Sequence, residues 1–224
     1  TFGDFGCFSF YPTKNVTTGE GGMVLAKRPQ DRETIRILSA QGMTLDAWKR
    51  YRSDGVPHYA VVAAGFKYNM TDMEAALGIH QLARVETNWL RRERIWLHYR
   101  EAFAALPLAL PAMPSPGTRH AYHLFPILVD PSEAGIDRDG LLERLRDLRI
   151  GSAVHYLSAA EQPYYQQTFG WQPEDFPEAL RIGRQTLSLP LSPALREQDV
   201  ERVVRAVRTG LESPKQTGAM RANR

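Results

Sequence analysis

From Thr71 to Pro107 the sequence carries one long helical pattern. Thr71-Asp-Met-Glu74 has the form of a capping box, in which the threonine hydroxyl accepts the amide three residues on and the glutamate reaches back to the cap amide. Beyond it Ile79, Leu82, Ala83, Trp89, Leu90, Trp96, Leu97 and Phe103 keep an approximate 3.6-residue period. At 1.5 Å per residue such a helix spans ~50 Å, enough to join two lobes or to bend midway. The proline-rich stretch 107–116 then reads as a linker. The expected organisation is therefore a first part over 1–106 that ends in the long helix, a second over 107–212, and a disordered tail at 213–224.

Before that helix, residues 5–10 and 22–26 read as short strands joined by a polar, glycine-bearing loop from Tyr11 to Gly21. A helix over 32–40 ends before Gly42, which can take the C′ position. Residues 43–68 hold Trp48, Tyr51, His58, Tyr59, Phe66 and Tyr68 without a clean period, and are expected to pack onto something. The chain starts with Thr1 and reads almost at once as a strand interior, which suggests a piece of a larger protein. After the linker come a strand at about 121–129, with Pro126 favouring an edge position, and a helix over 138–149 with Leu141, Leu145 and Leu148 on one face. A short strand near 150–156 and helices at about 177–187 and 196–211 follow. The last carries Val200, Val203, Val204, Val207 and Leu211 as its apolar stripe. This second part reads as a small α+β domain.

Composition narrows the class. Hydrophobic residues are 43% and charged residues 24% of 224, which argues against disordered or fibrous chains. No run approaches a membrane span, and the N-terminal residues lack the basic start and apolar run of a signal peptide, so no membrane contact and a cytoplasmic location are expected. Cys7 is alone and the histidines are scattered, so neither an internal disulfide nor a metal is expected. The net charge of +3 belongs to Lys215, Arg221 and Arg224, and residues 1–212 carry 25 charges of each sign. A basic tail without apolar period does not make a nucleic-acid surface.

The loop Ser9-Phe-Tyr-Pro-Thr-Lys14-Asn15 places a hydroxyl and an amine at the end of a strand. A loop lysine is ordinarily a solvated charge; a Schiff-base lysine is the functional alternative, since a desolvated amine attacks an aldehyde and a nearby serine suits a phosphate oxygen. Thr17-Thr-Gly-Glu-Gly-Gly22 precedes a strand rather than opening a helix, so it reads as a tight turn, not a phosphate loop. His120 and His123 on a strand would point to opposite faces and could not share a metal. The Trp89/Trp96 pair reads as core or dimer contact.

Taken in order, FSFYPTKN at 8–15, TTGEGGMV at 17–24, GFKYNMTDMEAALG at 65–78, HAYHLFPI at 120–127, VHYL at 154–157, PYY at 163–165 and SLPL at 188–191 resemble the pyridoxal-phosphate-dependent nucleotide-sugar aminotransferases of the DegT/DnrJ/StrS type, in their C-terminal portion. The resemblance implies an α/β fold: the end of the large, mainly parallel-sheet domain of a fold-type I enzyme, bearing the lysine, followed by a small α+β domain. It also implies transfer of an amino group from an amino-acid donor, glutamate, to a keto group of a nucleotide-linked sugar, with pyridoxal 5′-phosphate as cofactor, in a homodimer.

By the same resemblance Lys14 falls on the lysine that forms the Schiff base and moves protons, and Ser9 on the serine that holds the cofactor phosphate. Asn69 falls on an asparagine that reaches that phosphate from the neighbouring subunit. Tyr11, His155 and Tyr156 fall on the substrate side. The family's HYxPxH arrangement reads here His155-Tyr-Leu-Ser158-Ala-Ala160, without the proline and second histidine. The acid for the pyridine nitrogen, the ring-stacking residue and the phosphate-cradling helix lie upstream of the lysine in the family. The chain alone is therefore expected to be inactive. Relatives that dehydrate the sugar replace the lysine with histidine, so Lys14 favours transamination; a catalytically dead fragment or a regulatory relative of the same fold is the alternative from another class.

Overall fold

A computed structural model describes residues 2–44 and 59–212. Trp48, Tyr51 and His58, and the tail expected at 213–224, lie outside the described residues. The chain divides into two compact units, one ending at Glu86 and the other starting at Thr87.

In the first unit, β1 (Phe5–Ser9) and β2 (Gly22–Ala26) form an antiparallel pair, with Phe5 opposite Ala26 and Ser9 opposite Gly22. Both strands fall within a residue of where alternation and turn chemistry put them. Helix α1 (Pro29–Ser39) opens on a proline, which suits the first turn because that amide has no intrahelical partner. At its end the left-handed seat expected of Gly42 is taken by Gln41, at φ 61, and Gly42 follows it, donating its amide to the Ile37 carbonyl at 2.9 Å. Gly42 is required for a different reason: at φ 74, a Cβ there would lie 1.8 Å from the Ala63 carbonyl oxygen. The exposed rings of Phe66 and Tyr68 stack on each other at 5.0 Å.

Helix α2 (Asp72–Ala83) starts as its sequence dictates. The Glu74 amide donates to the Thr71 hydroxyl at 3.3 Å and the Thr71 amide to the Glu74 carboxylate at 2.7 Å. The single long helix expected from the period is two. Arg84, at φ −104 and ψ 3, separates α2 from α3 (Val85–Ala102). The apolar pattern offers only Val85 between Ala83 and Trp89, so no packed face holds a straight helix across that point.

The units part at Glu86 and Thr87, ahead of the expected division at 106. Most of α3 therefore counts with the second unit, and so does the proline-rich stretch. Ala109 exchanges backbone hydrogen bonds with Leu128 at 3.0 and 2.9 Å, and the Arg100 guanidinium donates to the Pro111 carbonyl; this segment is packed structure rather than a free linker.

The second unit continues with β3 (Phe125–Leu128), α4 (Pro131–Ala134), α5 (Arg138–Asp147), α6 (Pro163–Phe169), α7 (Pro177–Gln185), β4 (Thr186–Leu189) and α8 (Glu197–Glu212). Strands β3 and β4 pair antiparallel, with Pro126 opposite Ser188. The mainly parallel sheet expected of a large domain is not seen among the described residues, whose two sheets are both antiparallel pairs. The core joins Trp96 and Tyr99 of α3, and Phe103 just after it, to Phe125 and Ile127 of β3, Leu141 and Leu145 of α5, Leu187 of β4, and the valines of α8. Leu148, expected beside them, follows the end of α5 and is 38% exposed. The strand read over 150–156 reduces to one bridge, Ala153 with Ser188. The strand read from 121 starts only at Phe125, because Tyr122 sits at φ 44 and breaks the alternation. His120 and His123 therefore precede the strand; His120 accepts the Tyr122 amide through Nδ1 at 3.0 Å and packs against Trp96. No helix among the described residues is long and apolar enough to cross a membrane.

Candidate active site

The turn that carries the lysine follows from its sequence. Tyr11-Pro12-Thr13-Lys14 closes with the Lys14 amide donating to the Tyr11 carbonyl at 2.9 Å, and proline at the second position pre-sets the backbone angle such a turn needs. The loop then folds back on the end of β1. The Phe10 amide donates to the Gly21 carbonyl at 2.9 Å, and the Phe10 carbonyl accepts both the Thr18 amide at 3.0 Å and the Thr17 hydroxyl at 2.9 Å. Thr18 is buried, and its hydroxyl donates to the Glu20 carbonyl. A Cβ on Gly21, which lies at φ 147, would meet the Thr18 hydroxyl at 2.5 Å. Residues 17–22 are thus a tight turn feeding β2, as read from the sequence.

Within this unit a cavity of about 620 Å³ opens against the loop. Ser9, Lys14, Asn15 and Thr18 are polar members of its wall. The rest is mostly apolar, including Phe8, Phe10, Met23 and Leu25 from the strand region and Ile79 and Leu82 from α2. Lys14 is half-buried. A primary amine on a largely apolar wall is placed to meet a carbonyl carbon brought into the cavity. The capping box matters here too, since α2 supplies part of the wall. The Thr71 amide and hydroxyl, both bonded to Glu74, hold its carboxyl below the usual range.

The sequence-derived residues divide among three places. Ser9 and Lys14 share the cavity wall. Tyr11 stands beside them, half exposed, its amide 3.4 Å from the Ser9 hydroxyl. Asn69 lies in the same unit but not on that wall, although its neighbour Met70 is, and its amide oxygen accepts from Lys67 Nζ. His155 and Tyr156 belong to the second unit. The His155 carbonyl accepts the Thr186 hydroxyl at 3.4 Å, its Nδ1 is buried without a partner, and the Tyr156 ring stands edge-on to it with 72% of its surface exposed. Sequence reasoning passed over Asn15 and Thr18. Their position in the same loop as Lys14 was the available signal.

Comparison with known proteins identifies the family. The model of the DegT/DnrJ/EryC1/StrS aminotransferase family matches residues 1–208. The spore coat polysaccharide biosynthesis protein SpsC of Bacillus subtilis is 43% identical over 209 residues, covering 93% of this chain and 54% of SpsC. Among solved structures, PseC of Helicobacter pylori, an aminotransferase involved in the biosynthesis of pseudoaminic acid, superposes with a TM-score of 0.82 at 26% identity, over 94% of this chain and 54% of PseC. Spr1654 of Streptococcus pneumoniae in its PLP form superposes at 0.79 and 29% identity, over 93% of this chain and 52% of its own. The chain spans about half the length of the curated relatives it matches. It belongs to the DegT/DnrJ/EryC1/StrS aminotransferase family, a family that works with pyridoxal phosphate.

Proposed function

We propose that this chain is the lysine-bearing part of an enzyme that transfers an amino group from an amino-acid donor, glutamate, to a keto group on a nucleotide-linked sugar, acting in the cytoplasm as a homodimer. The observation that carries the reading is the shared wall of one cavity by Lys14 and Ser9. Those residues suit pyridoxal phosphate: an amine for its aldehyde, a hydroxyl for its phosphate, and apolar walls for its ring. When bound, the cofactor supplies an aldehyde that captures amines and a ring that withdraws electrons from the carbon next to them.

The chain's own residues do the rest. Lys14, raised on the turn after Pro12, would hold the cofactor through its Nζ and, once released by the incoming amine, would move a proton between the substrate carbon and the cofactor carbon as general base and acid. Ser9 would donate its hydroxyl to a phosphate oxygen and so help to anchor the cofactor. Asn69 of one subunit adds a hydrogen bond to the phosphate held by the other. Tyr11, His155 and Tyr156 contact the sugar substrate.

Borohydride reduction of the cofactor-loaded whole protein, followed by peptide mapping, tests the assignment. A pyridoxyl group should be fixed on Lys14 and lost in Lys14→Ala. Label on Lys27 or Lys67 would overturn it. This chain made alone should show no turnover of keto sugar with glutamate, because the acid for the pyridine nitrogen is not among its residues by the family's pattern.

A further inference from the structure

Residues 153–161 form a loop whose backbone is tied down along its length while its central side chains stand out. At its start Ala153 exchanges hydrogen bonds with Ser188 of β4, at 2.8 and 3.2 Å. The Thr186 hydroxyl then holds the His155 carbonyl. Ser158 accepts the Ala160 amide through its hydroxyl at 3.3 Å, opening a single tight turn at Ala159–Glu161. From α6 the Gln166 side-chain amide donates to the Ala160 carbonyl at 2.9 Å, and from α7 Arg184 pairs with Glu161 at 3.0 Å.

Gly183 of α7 makes the closest approach. A Cβ there would lie 2.7 Å from the Ser158 nitrogen and 3.3 Å from the Leu157 carbonyl carbon, so only glycine lets the helix press on the loop backbone. Arg138, buried beneath, donates to the Gly183 and Thr186 carbonyls at 3.3 and 3.2 Å and fixes the end of α7 where this contact is made. Against this restraint Tyr156 and Leu157 are 72% and 46% exposed. An ordered backbone beneath an exposed tyrosine is the arrangement of a recognition element whose ordering cost is met before the ligand arrives.

We infer that α7 and β4 hold residues 153–161 as a preformed loop that presents Tyr156 to the nucleotide-sugar, with Gly183 as its positioning residue. The inference rests on the functional reading above, in which His155 and Tyr156 contact substrate.

Hydrogen exchange and titration calorimetry on the whole protein, loaded with cofactor, test it, with UDP-, dTDP- and GDP-linked glucose as probes. In Gly183→Ala the added methyl must push Leu157 and Ser158 aside. Amides 158–161 should exchange about tenfold faster with α5 and α8 unchanged, and affinity for the probe that the wild type binds should fall about tenfold, as misplacement by a fraction of an ångström does. Tyr156→Ala should lose a similar factor in affinity without changing that exchange. Arg184→Gln leaves Gly183 in place and releases only Glu161, so it decides the matter if Gly183→Ala does not fold; it should speed exchange at Glu161 and weaken binding a few-fold. Unchanged exchange in both α7 variants, or faster exchange with wild-type affinity, would overturn the positioning role and leave the functional reading standing. Wild-type affinity in Tyr156→Ala would overturn the loop's contact with substrate, and failure of the wild type to bind any probe would overturn the functional reading and this inference with it.

Discussion

Ser9→Ala should weaken pyridoxal phosphate binding to the whole protein by about 10- to 150-fold. Ser9 ends β1 opposite Gly22 and is held there by backbone pairing, and its side chain is exposed, so removing the hydroxyl leaves the strand pair intact. In the described residues that hydroxyl accepts only one long contact, the Tyr11 amide at 3.4 Å. Its hydrogen is therefore available for a phosphate oxygen. A hydrogen bond to a charged group is worth about 1.5–3 kcal/mol, and each ~1.4 kcal/mol is a factor of ten in affinity, which gives the range. The assay is titration of the cofactor-free protein with pyridoxal phosphate, followed by cofactor absorbance, on wild type, Ser9→Ala and Ser9→Thr. The threonine variant keeps the hydroxyl and should recover most of the loss. A change of less than about threefold in Ser9→Ala would refute the reasoning, because a lost charged hydrogen bond costs more than that.

Other consequences are structural. Arg92, buried in the second unit, donates to the Leu191 carbonyl at 2.9 Å and at 3.4 Å to those of Tyr122 and His123; Arg92→Met keeps the stem and strands these carbonyls, so urea denaturation should show a loss of about 2 kcal/mol. The Glu74 carboxyl is held low by Thr71, so its contribution to α2 is present above the ordinary carboxylate range and is lost as pH falls through the lowered value. A side-chain carbon NMR titration should find Glu74 titrating below the ordinary glutamate range, and Thr71→Ala, which removes the hydroxyl but keeps the backbone amide, should return it part of the way. Limited proteolysis of this chain should cut first in the unit before Glu86 and leave 87–212 as the resistant product, read by mass spectrometry.

Where local chemistry decides, the sequence was legible. Strands β1 and β2, the tight turn at 17–22, the Thr71 cap and the valine stripe of α8 each depend on residues within a few positions of one another, and each is found where it was read. The misreadings come mainly from contacts between distant residues. The packing of residues 107–116 depends on a bond such as Ala109 to Leu128, which no local period encodes, whereas the split at Arg84 follows the thin apolar pattern between Ala83 and Trp89. Thr186 and Leu187, the first half of strand β4, fall within the helix expected at 177–187, because the strand gains its identity by pairing with β3. At the site, Lys14 and Ser9 were found through a motif, whereas Asn15 and Thr18 required knowledge of which way the loop folds back.

The two units also differ in how their apolar residues are used, and this bears on the chemistry. Among the described residues every buried hydrophobic side chain lies between Ile95 and Val207, so the second unit carries a closed core of its own and can hold the 153–161 loop to a fixed shape. The first unit has none: Phe5, Phe8, Met23, Leu25, Leu77, Ile79 and Leu82 are all exposed by 40% or more. Several of these line the cavity beside Lys14. Schiff-base chemistry runs best where bulk water is excluded, and the uncovered side chains that leave this unit without a core of its own include those that line the wall beside Lys14. Moderate urea loosens the unit without a closed core first, so it should release the cofactor before it melts the core around Trp96.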